Sequence, residues 1–130
     1  MWAAEAASCP SSRRAGASRV LGIDIDDEAV TASEENGERN GVMDIARFQM
    51  GDLTEGVDFQ ADVVVANLLT HLVLRLSPDI PKHMLPGGRY VTSGILVEQE
   101  ASVVQALEEL GFTVLETAEK GDWCCIAARL

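Results

Sequence analysis

The chain has 130 residues, 47% of them hydrophobic and 24% charged, with a formal net charge of −11. That size and balance fit one folded domain with a buried core and exclude a disordered chain. The excess of acid disfavours nonspecific nucleic-acid binding, which needs clustered Lys and Arg on phosphates; solubility or a basic protein partner explains it equally well.

No apolar run approaches the roughly 18 residues of a membrane span. The N-terminus carries Arg13 and Arg14 but has no apolar stretch of the kind a secretory signal needs. The three cysteines do not form a disulfide framework: Cys9 stands alone, and Cys124 and Cys125 are adjacent, so they point to opposite faces of a strand. Two histidines without metal-type spacing argue against zinc, so no metal is expected. A reduced, cytoplasmic protein is the expectation.

Residues 1–18, rich in Ala and Ser with two Arg and one Pro, have poor strand character and are expected to be helical or irregular. From Arg19 onward strand and helix alternate. "RVLGID" is a short strand ending in Asp24. "DDEAVTASEENGERNG" is a helix with Asp26 or Asp27 as N-cap and Asn40-Gly41 as its stop. Its apolar face, Ala29, Val30 and Ala32, is thin.

"IARFQM" is a second strand, closed by Gly51-Asp52. "ADVVVAN" is a third, and its continuous apolar run suits a parallel strand covered on both faces. A helix is predicted from about Leu68 to His83, with Pro78 and Pro81 at a break or a new first turn. "LPGG" turns the chain into "RYVTSGIL", a fourth strand. Val103, Val104, Leu107 and Leu110 recur at helical spacing, and Gly111 ends that helix. The last stretch reads as an antiparallel hairpin around Glu119-Lys120-Gly121-Asp122.

Alternating strands and helices followed by a hairpin predict an α/β fold: a doubly wound, mostly parallel sheet, with one reversed strand at its edge. Ligands in such sheets bind at the carboxyl ends of the strands, which singles out Asp24, Asp52, Asn67 and Ser93. Asp24 either accepts hydrogen bonds from both hydroxyls of a ribose or helps Asp26 and Asp27 cap the next helix. Asp52 either accepts from an exocyclic amine, such as that of adenine, or is a turn acid. Asn67 offers an acceptor oxygen and a two-proton donor. It can hold an amine by its N–H while leaving the nitrogen lone pair free to attack, and it can also cap a helix. His71 and His83 read as helix-surface or packing residues, and Trp123 as a hairpin residue covering the edge of the core.

"VLGIDIDDEAV", "ENGERNGV", "GDL", "VVANLL", "LPGGRYVTSGIL", "GF" and "DW", in this order, resemble the ribosomal protein L11 methyltransferase family over residues 18–130. The resemblance implies a Rossmann-like enzyme using S-adenosylmethionine to methylate the α-amine and lysine ε-amines of ribosomal protein L11. It implies that Asp24 holds the cofactor ribose, that Asp52 lies beside the adenine, and that Asn67 stands where cofactor and amine meet. In the family, a strand and a turn of the form Asp-Val-Gly-x-Gly-x-Gly precede these motifs, as does a recognition domain that docks the substrate. Neither has a counterpart here, so residues 1–18 are an aberrant segment and residues 19–130 an incomplete methyltransferase domain, expected to be inactive alone.

"MWAAEAASCP" can be encoded so that a reading one base earlier gives Asp-Val-Gly-Cys-Gly-Ser-Gly-Ile-Leu-Ser. The first 15 or so residues are therefore expected to be an out-of-frame reading of the glycine loop. The competing readings are a noncatalytic binding or structural module of the same fold, and a methyltransferase for another amine.

Overall fold

The computed structural model describes the backbone of Trp2–Ala3 and residues 16–130. The chain divides into two compact units, Met1–Val57 and Asp58–Leu130.

The first unit holds strands β1 (Trp2–Ala3), β2 (Val20–Asp24) and β3 (Ala46–Met50), with helix α1 (Asp27–Arg39) between the last two. Strand β2 pairs in parallel with β3, from Val20↔Ala46 to Asp24↔Met50. Helix α1 starts where its acids place it: Asp26 is the N-cap and accepts the Glu28 N–H at 3.0 Å, with Asp27 and Glu28 in the first turn. The thin face foreseen from sequence is thinner still, since Ser33 and Gly37 are its buried residues. Val20, Val42 and Ala46 form the core beneath, with Ala17, Ile45 and Phe48 packed against them.

One expectation is corrected here. Trp2–Ala3 are neither helical nor irregular: they pair in parallel with β2, Trp2 opposite Leu21 and Ala3 opposite Gly22. The buried strand β2 offers an unsatisfied ladder of N–H and C=O groups, and completing it outweighs weak local propensity. The sequence-based expectation for residues 4–15, the glycine-loop stretch included, lies outside the described residues.

The second unit runs through β4 (Ala61–Asn67), α2 (Thr70–Leu76), a 3₁₀ turn (Ile80–His83), β5 (Met84–Leu96), a second 3₁₀ turn (Val97–Gln99), α3 (Glu100–Glu109), β6 (Thr113–Lys120) and β7 (Trp123–Arg129). Strand β4 has its predicted limits, but its burial alternates. Val64 and Ala66 are fully buried, whereas Val63 and Val65 are half-buried. The long helix expected over 68–83 breaks at Ser77, which still has helical backbone, because Pro78 after it has no N–H to continue the hydrogen-bond ladder. Strand β5 begins earlier than predicted, at Met84, because the Leu-Pro-Gly-Gly stretch is absorbed as a bulge: the register jumps from Ala61↔Met84 to Val63↔Arg89. The reversed strand is also not at the edge. Strand β7 lies between β5 and β6, antiparallel to both, and leaves the exposed β6 outermost.

Tyr90, the chain's single tyrosine, anchors this core. Its ring lies 5.6 Å from that of Phe112, and its hydroxyl is 3.2 Å from Ser77 Oγ, which donates to the Val73 carbonyl at 2.7 Å. Burial pushes the phenol up to about 12, against the opposing effect of the hydrogen bond with Ser77. A raised folded-state value means the neutral phenol stabilises the fold below pH 10, and that contribution fades as pH climbs toward 12. Two units correspond to about 3 kcal/mol. The tyrosinate band should therefore rise together with unfolding in an alkaline titration, and Tyr90→Phe should flatten the loss of stability between pH 10 and 12. Ionisation near 10 with the fold intact contradicts this.

Candidate functional site

At the carboxyl ends of β2 and β3, Asp24 Oδ1 accepts the Asp26 N–H at 2.9 Å, so one carboxylate oxygen shapes the turn into α1 while Asp26 caps it. The Gly51 N–H donates to the Asp24 carbonyl at 3.0 Å, and this bond carries the pairing of the two strands to their ends. Asp52 follows in a compact loop: its N–H donates to Glu55 Oε2 at 3.3 Å, and its carbonyl accepts the Glu55 N–H at 3.1 Å.

Beside these acids the sequence reading missed two residues. Ile25 is 70% exposed and Met50 56% exposed, although Ile25 directly follows the buried strand β2. The signal was available in "IDID", where an isoleucine stands between acids just past the strand end. Two carboxylates with uncovered apolar side chains suit a nucleoside: the acids accept from hydroxyls and an exocyclic amine, and the apolar groups meet a flat base. The residues present fit the nucleoside end of S-adenosylmethionine.

In the second unit, Asn67 ends β4 opposite Ser93 of β5. Ser93 Oγ donates to Asn67 Oδ1 at 2.9 Å, and the Leu68 N–H donates to the Ser93 carbonyl at 3.1 Å. Asn67 and Ser93, both singled out as strand-end residues, thus meet directly, and the serine fixes which way the amide faces. Asn67 is not the cap of the following helix. That position belongs to Leu69, which makes no side-chain cap.

Around Asn67 lies a cavity of about 450 Å³ lined by Asn67, Leu68, Leu69, Gly94 and Trp123. A second, of about 190 Å³, shares Leu69, Gly94 and Trp123 and adds Thr70, His71, Leu96 and Gln99. Trp123 therefore does not cover the core edge as predicted. It is 49% exposed and walls both cavities. His71 is a helix-surface residue, as expected, but it too faces a cavity. The carbonyl of Asp122, next to Trp123, accepts the Val97 N–H at 2.9 Å, tying the hairpin to the end of β5.

Among the described residues, no group of three or more His, Cys, Asp or Glu is arranged to hold a metal ion. Cys124 is buried and Cys125 half-buried, and burial is the main cause raising both thiols above their ordinary values. They remain neutral small residues of the core. No helix among the described residues is long and apolar enough to cross a membrane.

The ribosomal protein L11 methyltransferase (PrmA) family model matches residues 10–130. A ribosomal protein L11 methyltransferase of Desulforamulus reducens is 42% identical over 113 residues, which are 87% of this chain and 37% of that protein. Its counterpart in Pelotomaculum thermopropionicum is 41% identical over 117 residues, 90% of this chain and 38% of that one. The chain thus spans under two-fifths of the length of these relatives. Among solved structures, the ribosomal protein L11 methylase of Lactobacillus delbrueckii subsp. bulgaricus superposes with a TM-score of 0.91 at 34% identity, over 98% of this chain and 68% of that one. An RNA methyltransferase from Salinibacter ruber, solved with S-adenosyl-L-homocysteine, has a TM-score of 0.75 at 21% identity, covering 98% of this chain and 78% of that one. That likeness establishes the Rossmann-like α/β fold. The chain belongs to the ribosomal protein L11 methyltransferase family.

Proposed function

We propose that this chain carries the strand-end residues of an S-adenosylmethionine-dependent N-methyltransferase acting on amino groups of ribosomal protein L11 in the cytoplasm. The observation that carries the reading is Asn67: its amide is held by Ser93 at a strand end, over a cavity walled by Trp123 and Leu69. Asp24 accepts from the ribose hydroxyls, Asp52 accepts from the adenine amine, and Ile25 and Met50 cover the base.

When bound, S-adenosylmethionine supplies a methyl group on a sulfonium. The protein's part is to bring a neutral amine to it. Asn67 holds that amine by one N–H and leaves the nitrogen lone pair pointing outward for in-line attack. Leu69 and Trp123, 54% and 49% exposed, flank the amine with apolar surface and so lessen its hydration as it meets the methyl group. Positioning supplies most of the rate, and no acid–base group beyond amine deprotonation is required.

Calorimetry tests the roles. Asp24→Ala and Asn67→Ala should each weaken S-adenosylmethionine binding by roughly 10-fold, the loss expected for one well-placed hydrogen bond. Two variants that bind like the parent chain would show the assignments to be wrong. Complete absence of binding, even in a chain given the family's glycine loop, would favour a noncatalytic module.

A further inference from the structure

The smaller cavity is not needed to hold an amine. It shares Leu69, Gly94 and Trp123 with the cavity at Asn67, and beside Leu96 its added lining is polar: Thr70, His71 and Gln99. Two of these side chains have no structural duty. Gln99 sits at the N-cap of α3, a position where a short polar side chain usually bonds the helix N–H groups, yet it makes no capping bond. His71 projects from the surface of α2 and, like Gln99, has no side-chain hydrogen-bond partner among the described residues.

The order of groups along this groove is therefore an oriented amide, an apolar slot, then two uncommitted polar side chains. Gly94 lines both cavities and carries no side chain to divide them. A ligand matching that order has an amine at one end, an alkyl stem in the middle and an amide at the other. A net charge of −11 favours the approach of an ammonium-bearing segment.

We propose that the cavity lined by His71 and Gln99 takes the main-chain peptide group of the residue whose side-chain amine is methylated, a lysine-type residue with its stem between Leu69 and Trp123. Gln99 donates to the peptide carbonyl or accepts from its N–H, and His71 supplies the complementary contact. They are positioning residues: they fix how far the stem reaches and so set the amine at Asn67. This inference rests on the reading of Asn67 as the group that holds the amine.

The test uses the full chain, labelled with ¹⁵N, and two probes: Nα-acetyl-lysine-N-methylamide, which has both peptide groups, and n-butylamine, which has only stem and amine. Both should shift the Asn67 side-chain amide and the Trp123 indole N–H. The lysine amide alone should also shift the Gln99 side-chain amide and the His71 ring. It should bind about fivefold more tightly than butylamine, the gain of one neutral hydrogen bond. His71→Ala and Gln99→Ala should each erase that advantage while leaving butylamine affinity unchanged. If the lysine amide moves Asn67 and Trp123 but leaves Gln99 and His71 still, or the variants keep the advantage, the peptide subsite is wrong and the amine reading survives. If neither probe moves Asn67 or Trp123, both fall together.

Discussion

Gly94→Ala should lower the melting temperature by roughly 10 °C and abolish binding of amine ligands at Asn67. Gly94 has φ +82, a left-handed conformation that costs a residue with a Cβ about 1–2 kcal/mol. A Cβ there would also stand 2.6 Å from the Leu68 carbonyl oxygen and 3.0 Å from its carbon. Both are backbone atoms at the crossing of β4 and β5, held by the bond from the Leu68 N–H to Ser93, so they cannot swing aside as a flexible side chain would. Overpacking of that kind adds about 1–3 kcal/mol. The total, about 3 kcal/mol, translates to roughly 10 °C for a domain of this size.

The same Cβ would lie 3.2 Å from Asn67 Oδ1, against the atom that Ser93 orients. The amide must turn, and the cavity loses its polar end. Gly111→Ala is the control. Its φ is +93, but nothing lies within 4 Å of the added methyl, so only the conformational cost applies. Thermal unfolding of the two variants side by side decides the matter: equal losses would mean that the contact with Leu68 is not tight.

That contact illustrates what the sequence could and could not tell. Local patterns were legible. Strand β4 has its predicted limits because an unbroken apolar run bounded by polar residues has few other readings. Helix α3 and the final hairpin follow from a 3.6-residue period and from Gly121-Asp122 at a two-residue turn. The strand-end acids and Asn67 stand out because polar residues directly after buried strands are costly unless used.

Arrangement between distant segments was not legible. Pro86, Gly87 and Gly88 read as a turn, and only pairing with β4 shows them as a bulge within β5. No pattern within β6 or β7 says which of them lies next to β5. Trp123, a lone aromatic at the start of a strand, has no periodic signal, and its neighbours Leu69 and Gly94 reach it only through the fold. Ile25 and Met50 do not stand out, because an apolar residue in a sequence carries no mark of its exposure, which here is 70% and 56%.

Replacing residues 1–10 with Asp-Val-Gly-Cys-Gly-Ser-Gly-Ile-Leu-Ser should raise affinity for S-adenosylmethionine by roughly 100-fold. The register of β1 is the reason to expect a productive graft. Trp2 and Ala3 pair with Leu21 and Gly22, so the new Val and first Gly would take over those two ladder positions. The remaining glycines would then follow directly from the carboxyl end of a strand parallel to β2, where such sheets bind their ligands. A turn without Cβ atoms lets backbone N–H groups approach an anionic group closely. Two hydrogen bonds of that charged kind contribute about 1.5 kcal/mol each, about 3 kcal/mol together, which is the expected 100-fold.

A second graft with alanine at the second and third glycine positions keeps the strand residues and blocks the approach; it should bind no better than the starting chain. Calorimetry on the three proteins separates a missing loop from a misassigned site. If the glycine graft gains nothing, the weakness lies in Asp24, Asp52 and Asn67 themselves, because the strand that would carry the loop is already paired in place.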